Sequence, residues 1–407
     1  AARQLLPADN ERQVFWSAYC STLCTVVASA ALLCLLLFYV CRHFFALAEE
    51  ASLLLTVFYG FGTLVFSYST TFYCHLPAAS LGFFSFVICM HIKHDAGSTI
   101  KLPSFFAGFS AASAFLMEPS AVYILGVVLL YLAGFKKGRA GLLYFFLGCV
   151  PSCGLQCFYN AVCFGGAFGS SYTYANPAVM WYDKGSLFGL PRPKKFIELL
   201  FLPYRGLFIS SPILLMAIPG SALFFKEKKW IPEALACAAV TVVFIVFIAC
   251  TFAWHGGSAA GPRYLLPAFP FGFMLAIAAL KKYTRTFKLL GTLSVLINLA
   301  ITLVGNEIPR EVENPLVDIV LKSILAGKVS INPVPFSNFE KYPHIMDLAK
   351  AENWFPNFNS FNLGELIFPH HIASILPLLC FWGIWWYWWK KDAGGNRRMR
   401  GDKGNKC

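Results

Sequence analysis

Charged residues are scarce in this sequence. Only 13% of its 407 residues are Asp, Glu, Lys or Arg, whereas 57% are hydrophobic and 17% are aromatic. In an ordinary soluble domain about a quarter of the residues are charged. The low charge content therefore argues against a soluble chain and indicates one whose surface faces lipid.

The sequence also lacks the alternating ten-residue segments that are typical of membrane β-barrels, and has long unbroken apolar runs instead. A helix satisfies its own backbone N–H and C=O groups, as lipid requires. We therefore predict an all-α integral membrane protein, a polytopic bundle of about eleven transmembrane helices with interfacial helices in its outer loops. The predicted spans are residues 17–41, 51–68, 76–92, 104–117, 119–135, 140–163, 206–225, 234–253, 264–280, 289–304 and 372–389.

These spans divide the chain into membrane and loop segments. Residues 1–163 contain the first group of transmembrane helices, residues 206–304 the second group, and residues 372–389 the last helix. Residues 164–205 form an outer loop, in which the stretch from Lys194 to Leu202 has the character of an interfacial helix. Residues 305–371 form an outer C-terminal region that is too long for a simple turn, and residues 390–407 form a basic tail.

Basic residues are concentrated in the tail and in short connections on one side of the predicted membrane. By the positive-inside rule this side is cytoplasmic, and so is the C-terminus. The net charge of +13 is spread over separate turns, so it reflects topology and predicts no nucleic-acid partner. The connections contain Arg42; Lys93 and Lys101; Lys136, Lys137 and Arg139; Lys226, Lys228 and Lys229; and Lys281, Lys282, Arg285 and Lys288.

An odd number of spans with a cytoplasmic C-terminus places residue 1 outside. The first sixteen residues, AARQLLPADNERQVFW, have no initial methionine and do not resemble the start of a signal peptide. We expect the parent protein to contain at least one further span upstream.

The outer loops contain essentially no cysteine, so a disulfide framework is not indicated. Cys149, Cys153 and Cys157 share one helix face, where packing between helices is favoured over a metal or redox site because no histidine or carboxylate accompanies them. The sequence has no Walker loop, HExxH motif or nucleophile elbow, which argues against nucleotide hydrolysis, metalloprotease and serine-hydrolase functions. The sequence indicates no metal ligand and no particular cofactor, and it is compatible with the use of a divalent cation.

Polar residues at the outer ends of the spans are the candidates for a ligand site. Glu118 lies between two apolar stretches in LMEPS. There it is either a general base or ligand carboxylate in an outward cavity, or the structural ion-pair partner of Arg263 or Arg205. The candidates are His75, Glu118, Asp183, Lys194, Lys195, Arg205, Trp254, His255, Arg263 and Tyr264.

Two further groups of candidates point to an anionic ligand. In the turn WHGGSAAGPRYL, glycines free successive backbone N–H groups to hold an anion beside Arg263. The alternative is an arginine that reaches the interface next to a membrane-interface tryptophan. Lys194 and Lys195 are suited to neutralise a lipid-linked phosphate, although interfacial lysines do so for any phospholipid.

The turn resembles a known motif. WHGGSAAGPRYLLPAFPF is similar to the W-x-GG-x-x-x-GPRYL-x-P motif of a bacterial group of multi-spanning proteins within the GT-C glycosyltransferases, related to the protein mannosyltransferase and aminoarabinose transferase types. The resemblance covers roughly residues 47–389. It also includes FYGFGTLVFSYSTTFYCHLPAA, FLMEPSAVYIL, FYNAVCFGGAFGSSYTY, LLFLPYRGLFISSPILLMAIPG and FNSFNLGEL.

This resemblance implies hexosyl or pentosyl transfer at the outer face of a bacterial inner (plasma) membrane. The donor would be a polyprenyl-phosphate sugar, and the acceptor a glycan, lipid or protein. It implies a catalytic role for Glu118. Arg205, Arg263 and Tyr264 match binding positions of the group, and Trp254, His255, Lys194, Lys195 and Asp183 are further binding candidates. The usual catalytic aspartate of GT-C enzymes lies in the first outer loop, so the resemblance leads us to expect that aspartate upstream of residue 1.

Two other functions are compatible with the sequence. A transporter or flippase for a lipid-linked or anionic solute is favoured by broken helices and disfavoured by the absence of a detectable inverted repeat. A catalytically inactive membrane scaffold is favoured by the absence of the usual aspartate.

Overall fold

A computed structural model describes residues 11–95, 97, 99–169, 189–190 and 192–329, and near the C-terminus residues 364, 367–368, 371–380 and 382–383. The regular structure of these residues is helical, without any strand, and an isolated β-bridge joins Lys328 and His371. The all-α prediction is therefore confirmed for the described residues. Asp183, most of the outer region 305–371, much of the predicted span 372–389 and the basic tail lie outside them.

Most of the helices up to Leu142–Phe164 are joined by short connections, whereas longer segments separate that helix from Pro193–Phe201, and Ile231–Cys250 from the turn that begins at Arg263. The first, α1, runs through Glu11–Thr22, Leu23–Val27, Ala28–Tyr39 and Val40–Phe44, of which the second and fourth parts are π-helical. The following helices are α2 (Glu49–Gly62), α3 (Leu64–Ser69), α4 (His75–His94), α5 (Lys101–Met117), α6 (Val122–Ala133), α7 (Lys136–Arg139), α8 (Leu142–Phe164), α9 (Pro193–Phe201), α10 (Leu207–Ser210), α11 (Ala217–Phe224), α12 (Ile231–Cys250), α13 (Phe269–Ile277), α14 (Ala279–Lys282), α15 (Thr284–Val304) and α16 (Lys322–Leu325). The 3-10 and π-helical turns between them are Pro119–Ala121, Pro212–Met216, Lys228–Trp230, Arg263–Ala268, Pro315–Leu321 and Ile372–Ile375.

Five described helices are long and apolar enough to cross a membrane, which indicates membrane insertion. They are Ser17–Phe44, His75–His94, Leu142–Phe164, Lys228–Cys250 and Thr284–Val304. Three further apolar helices are shorter, Pro119–Ala133, Pro212–Phe224 and Arg263–Ile277. The count of eleven is thus not established. Part of the difference arises because the predicted spans 51–68 and 206–225 are broken by the non-helical backbone of Thr63 and Ser211.

The break at Ser211 leaves backbone groups without helical partners, and polar side chains of α15 satisfy them. Ser294 Oγ accepts a hydrogen bond from the backbone N–H of Ile213 at 2.7 Å, and Asn298 Nδ2 donates to the carbonyl of Ser210 at 2.8 Å. Ser294 and Asn298 are fully buried. Since an unsatisfied amide in lipid costs several kcal/mol, these two side chains make the broken helix compatible with an apolar surrounding.

Helices α5 and α8 approach each other closely along a seam of small residues. A Cβ atom on Gly108 would lie 1.9 Å from the carbonyl oxygen of Phe145, and one on Gly148 would lie 2.0 Å from that of Phe105. Cys149 lies on the same seam, with its Sγ 3.4 Å from the carbonyl oxygen of Gly108. This contact supports the packing interpretation of Cys149. All described cysteines are free.

We expect Gly108→Ala to destabilise the bundle by about 1–3 kcal/mol, because the added methyl group forces the two helix backbones apart. The measurement is the free energy of unfolding in mixed micelles titrated with a denaturing detergent. Gly126→Ala in α6 is the matched control, since its Cβ would meet no atom within 4 Å. Equal stability of the two variants would show that the seam does not hold α5 and α8 together.

The loops gather at two opposite ends of the bundle. At one end, the Glu118 end, α4 and the turn Arg263–Ala268 begin, and α5, α12 and α15 finish. At the other end, the Glu233 end, α4 finishes and α5, α12 and α15 begin. The Glu233 end carries the basic connections Lys93 and Lys101; Lys136, Lys137 and Arg139; Lys226, Lys228 and Lys229; and Lys281, Lys282 and Arg285.

Candidate functional site

Glu118 lies at the Glu118 end, between α5 and the turn Pro119–Ala121. Its backbone is extended (φ −146°, ψ 118°), the conformation that a following proline favours. The side chain is buried, with only 7% of the residue exposed. Its Oε2 lies 2.7 Å from His75 Nδ1, and its Oε1 accepts a hydrogen bond of 2.7 Å from Ser120 Oγ. The side chain in contact with Glu118 is therefore that of a histidine, and not that of Arg263 or Arg205, which were considered as ion-pair partners.

Aromatic rings connect this pair to Arg263. The His75 ring stacks on Tyr73, with 5.8 Å between centroids, and meets Tyr264 edge to face at 5.4 Å. The Arg263 guanidinium lies 4.3 Å from the centroid of Tyr73 and 5.4 Å from that of Tyr264. Cation–π contacts of this kind are worth about 2 kcal/mol when desolvated. The structure thus brings Glu118, His75, Arg263 and Tyr264 into one group.

Arg263 has hydrogen-bonding capacity left over. Its Nη1 lies at 3.5 Å from the carbonyl oxygen of Ser258, a long contact, and its buried Nε has no hydrogen-bond partner among the described residues. A buried donor without an acceptor is rare and calls for an explanation such as a ligand or ordered water. The Nε of Arg263 can therefore bind an acceptor group of a ligand or an ordered water, and the same holds for the buried Nε of Arg205.

Tyr73 was not among the sequence candidates, although it contacts both His75 and Arg263. Its hydroxyl donates to the carboxylate of Glu307, which follows α15. The available signal was its position in YCHLP, two residues before His75. Sequence alone did not show that a loop more than 200 residues away would meet it.

Arg205 is fully buried at the same end of the bundle but uses its guanidinium to hold backbone carbonyls. Nη1 donates to Tyr204 at 2.7 Å, and Nη2 donates to Ile308 at 3.2 Å and to Pro309 at 3.0 Å. Burial lowers the pKa of Arg205, because desolvation disfavours its charged form. In the described structure Arg205 fixes the segment after α15, and these contacts give it a positioning role.

The turn from Trp254 to Gly257 is compact and internally bonded. Gly256 and Gly257 have positive φ angles of 75° and 68°, which glycine adopts without strain. The N–H of Gly256 donates to the carbonyl of Ala253, and that of Gly257 donates to His255 Nδ1. These two N–H groups are occupied within the turn, so they do not form the anion cradle that the sequence suggested. Trp254 packs edge to face against Tyr204.

His255 makes the stability of this turn sensitive to acid. Burial, and then the positive charges of Arg205 and Arg310, lower the pKa of His255 below its ordinary value of 6.5. The folded protein therefore favours the neutral ring, and the unfolded chain binds more protons as the pH falls through that value. We expect the wild-type protein to lose stability more steeply than His255→Asn between about pH 7.5 and pH 5.5.

The thermal midpoint, measured at several pH values for both proteins, tests this expectation. Asparagine is chosen because its side-chain oxygen can still accept from the Gly257 N–H. The remaining histidines are common to both proteins, so the difference between them isolates His255. If the thermal midpoints of the wild-type protein and of His255→Asn fell in parallel with pH, His255 would not be the cause of the acid sensitivity.

Lys194 and Lys195 lie on α9 at the same end. Lys194 is highly exposed and 3.7 Å from Glu198, one turn along the helix. Lys195 Nζ donates to the carbonyl of Thr251 at 2.9 Å and lies over the ring of Phe252. Burial is the main cause that lowers the pKa of Lys195, and Arg192 adds to it. A helix is thus present at this position as Pro193–Phe201, with Lys194 exposed and Lys195 bound to the loop after α12.

An apolar groove of about 300 Å³ lies between α9, α11, α12 and α13. Leu200 and Phe201 come from α9, and Leu265 and Ala268 from the turn that starts at Arg263. The same short turn therefore carries the arginine of the site and one wall of the groove. Its lining is almost entirely apolar, as a lipid chain requires.

A second polar cluster, missed by sequence reasoning, lies at the Glu233 end. Glu233 is fully buried at the start of α12, and its Oε1 accepts from Lys93 Nζ at 2.7 Å and from the Tyr131 hydroxyl at 2.5 Å. His94 Nε2 lies 2.8 Å from the same oxygen. The available signal was a glutamate beside a long apolar run in IPEALACAAV, since a carboxylate there needs a partner.

One group of described residues could hold a metal ion. The ligand atoms of Cys74, His75 and Glu118 all lie within 4.8 Å of one another, and His75 and Glu118 are buried. Sequence reasoning assigned no metal ligand, because Glu118 is 43 positions away from its histidine.

Comparison with known proteins adds no relative. No family model matches the chain, and neither a curated protein nor a solved structure shows significant similarity to it.

Proposed function

We propose that this protein is a GT-C-like membrane glycosyltransferase, which moves a hexosyl or pentosyl group from a polyprenyl-phosphate carrier to an acceptor. The observation that carries the proposal is the shared aromatic group at the Glu118 end. The histidine of a buried carboxylate–histidine pair and a partly buried arginine contact the same two tyrosines, Tyr73 and Tyr264. The acceptor is a glycan, lipid or protein hydroxyl.

The chemistry needs a base and a cation. In the proposed reaction Glu118 takes the proton of the acceptor hydroxyl while that oxygen attacks the anomeric carbon, and His75 orients the carboxylate. The bond from the anomeric carbon to the phosphate oxygen breaks, and Arg263 stabilises the charge on the departing polyprenyl phosphate. The apolar groove behind Leu265 suits the first part of the carrier chain.

We further propose that the chain crosses the membrane eleven times, with the shorter and broken apolar helices added to the five long ones. The Glu118 end then faces the outer side of a bacterial inner membrane, and the basic Glu233 end and the C-terminus face the cytoplasm. This places the site at the outer surface, where membrane lipids and lipid-linked sugars reach it.

A transporter or flippase is supported less well by the contacts of the broken helices. Transporter helices are broken where their free backbone groups bind a solute. Here the groups freed at Ser211 are bonded to Ser294 and Asn298. An inactive scaffold gives no role to a carboxylate–histidine pair and an arginine that share the same aromatic rings.

The proposal is tested with the purified full chain in lipid nanodiscs. It is incubated with a set of radiolabelled polyprenyl-phosphate hexoses and pentoses and with lipid extract as acceptor. Labelled product that depends on the protein and on one donor is the expected result. Movement of intact labelled carrier between leaflets of a vesicle, without cleavage, would establish the flippase instead.

A further inference from the structure

Cys74, His75 and Glu118 have the geometry of an incomplete metal coordination shell. The nearest pair, His75 Nδ1 and Glu118 Oε2, is 2.7 Å apart, and all three ligand atoms lie within 4.8 Å of one another. In a tetrahedral zinc site with bonds of about 2.0–2.3 Å, ligand atoms are about 3.3–3.7 Å apart. For the three atoms to ligate one ion, the His75–Glu118 pair must separate by about 0.6–1 Å and the most distant pair must approach by up to about 1.5 Å.

The elements that carry the three residues hold them in place. Cys74 and His75 are consecutive at the start of α4, and Glu118 lies at the interruption after α5. Ser120 Oγ donates to the Glu118 oxygen that does not face His75. A hydrogen bond of this kind orients a ligating carboxylate and leaves its other oxygen free for the metal.

The donor set selects the class of metal. A thiolate, an imidazole nitrogen and a carboxylate oxygen suit zinc and similar divalent transition metals, whereas Mg²⁺ and Ca²⁺ prefer shells of oxygen only. The two anionic ligands balance the charge of a divalent ion in a buried position. Three protein ligands also leave a coordination position for water or substrate, as in catalytic zinc sites.

We propose that Cys74, His75 and Glu118 bind one divalent transition-metal ion of the zinc class at the Glu118 end of the bundle. The site stands on this geometry alone and does not depend on the glycosyltransferase function. If both hold, Glu118 acts as a metal ligand, and an acceptor hydroxyl bound at the remaining position loses its proton more readily.

Cobalt binding tests the site directly. The full chain in lipid nanodiscs is freed of metal with a chelator and titrated with Co²⁺, whose visible bands report tetrahedral geometry. Its near-ultraviolet charge-transfer band reports a thiolate ligand. We expect both bands to saturate at one Co²⁺ per chain and to disappear when Zn²⁺ is added.

Variants of the three ligands and of the neighbouring Ser120 distinguish residues that bind the metal from a residue that only orients a ligand. Cys74→Ser is expected to abolish the charge-transfer band. His75→Ala and Glu118→Gln are expected to weaken Co²⁺ binding by at least about 100-fold, and Ser120→Ala by about 10-fold, as for an outer hydrogen-bond partner. Cys153→Ser is the matched control, since Cys153 is an exposed thiol on α8, and it should bind as the wild type does.

The absence of a charge-transfer band at saturating Co²⁺ would overturn the proposal, and so would an undiminished band in Cys74→Ser. Cys74 is exposed, so its serine variant keeps the test decisive if a buried variant fails to fold. A metal-binding chain without sugar transfer would refute only the glycosyltransferase proposal. Sugar transfer without Co²⁺ binding would refute only the metal site.

Discussion

Glu118→Gln is expected to lower the rate of sugar transfer by about 10²- to 10⁴-fold, the usual loss when a general base is removed. Glutamine keeps the size of the side chain, can accept from Ser120 and can donate to His75, so the folded yield should stay the same. The measurement is the initial rate of product formation with the donor that the wild-type protein uses. Glu50→Gln provides the matched control, because Glu50 is an exposed carboxylate at the other end of the bundle.

Interpretation of this variant requires a measure of folding beside activity. Elution from a sizing column and the thermal midpoint should both match those of the wild-type protein. A variant with normal folding and an unchanged rate would leave Glu118 with a structural role only, as the partner of His75.

The second large effect is expected at Glu233. We predict that Glu233→Ala lowers the free energy of unfolding by about 3–5 kcal/mol, because its removal leaves Lys93, His94 and Tyr131 without their common acceptor in a buried position. Glu233 is fully buried, and the Lys93 and His94 side chains are only 18% and 17% exposed. Unfolding in mixed micelles measures the change.

Two companion variants define the origin of this effect. Glu227→Ala removes an exposed carboxylate from the same region and should change the stability by less than about 0.5 kcal/mol. Glu233→Gln keeps an acceptor oxygen but no charge. Its free energy of unfolding should lie between those of Glu233→Ala and Glu227→Ala. If Glu233→Ala were as stable as Glu227→Ala, the cluster would not contribute to holding α4, α6 and α12 together.

The long helices were predictable because an apolar run specifies its own conformation in lipid. The span predicted at residues 76–92 corresponds to His75–His94, and that at 140–163 to Leu142–Phe164. The sequence indicated broken helices, but it did not show that the breaks lie at Thr63 and Ser211. A helix inside a membrane breaks only where neighbours satisfy its backbone. At Ser211 these neighbours are Ser294 and Asn298, and at Thr63 the N–H of Leu64 donates to Ser211 Oγ, so in both cases the partner lies on a distant segment.

The site was predictable in part for a related reason. Glu118 and Arg263 were identified because a charge beside an apolar run needs a partner or a function. Their surroundings were not, since the His75–Glu118 contact and the Tyr73–Glu307 contact join residues far apart in the chain. For Arg205 the sequence indicated a binding role, and the structure shows a guanidinium bonded to backbone carbonyls.

By itself, the scarcity of charge in the sequence indicated that this protein enters a membrane, and the long unbroken apolar runs determined that it is helical, since each helix satisfies its backbone locally. The sequence also determined which end of each helix carries basic residues. Only the tertiary structure decided which polar groups meet. Glu118 contacts His75, and Glu233 contacts Lys93, His94 and Tyr131. The thiol of Cys74 lies near both His75 and Glu118. These contacts form because the packing of α4, α5, α6 and α12 brings residues that are distant in the sequence next to one another.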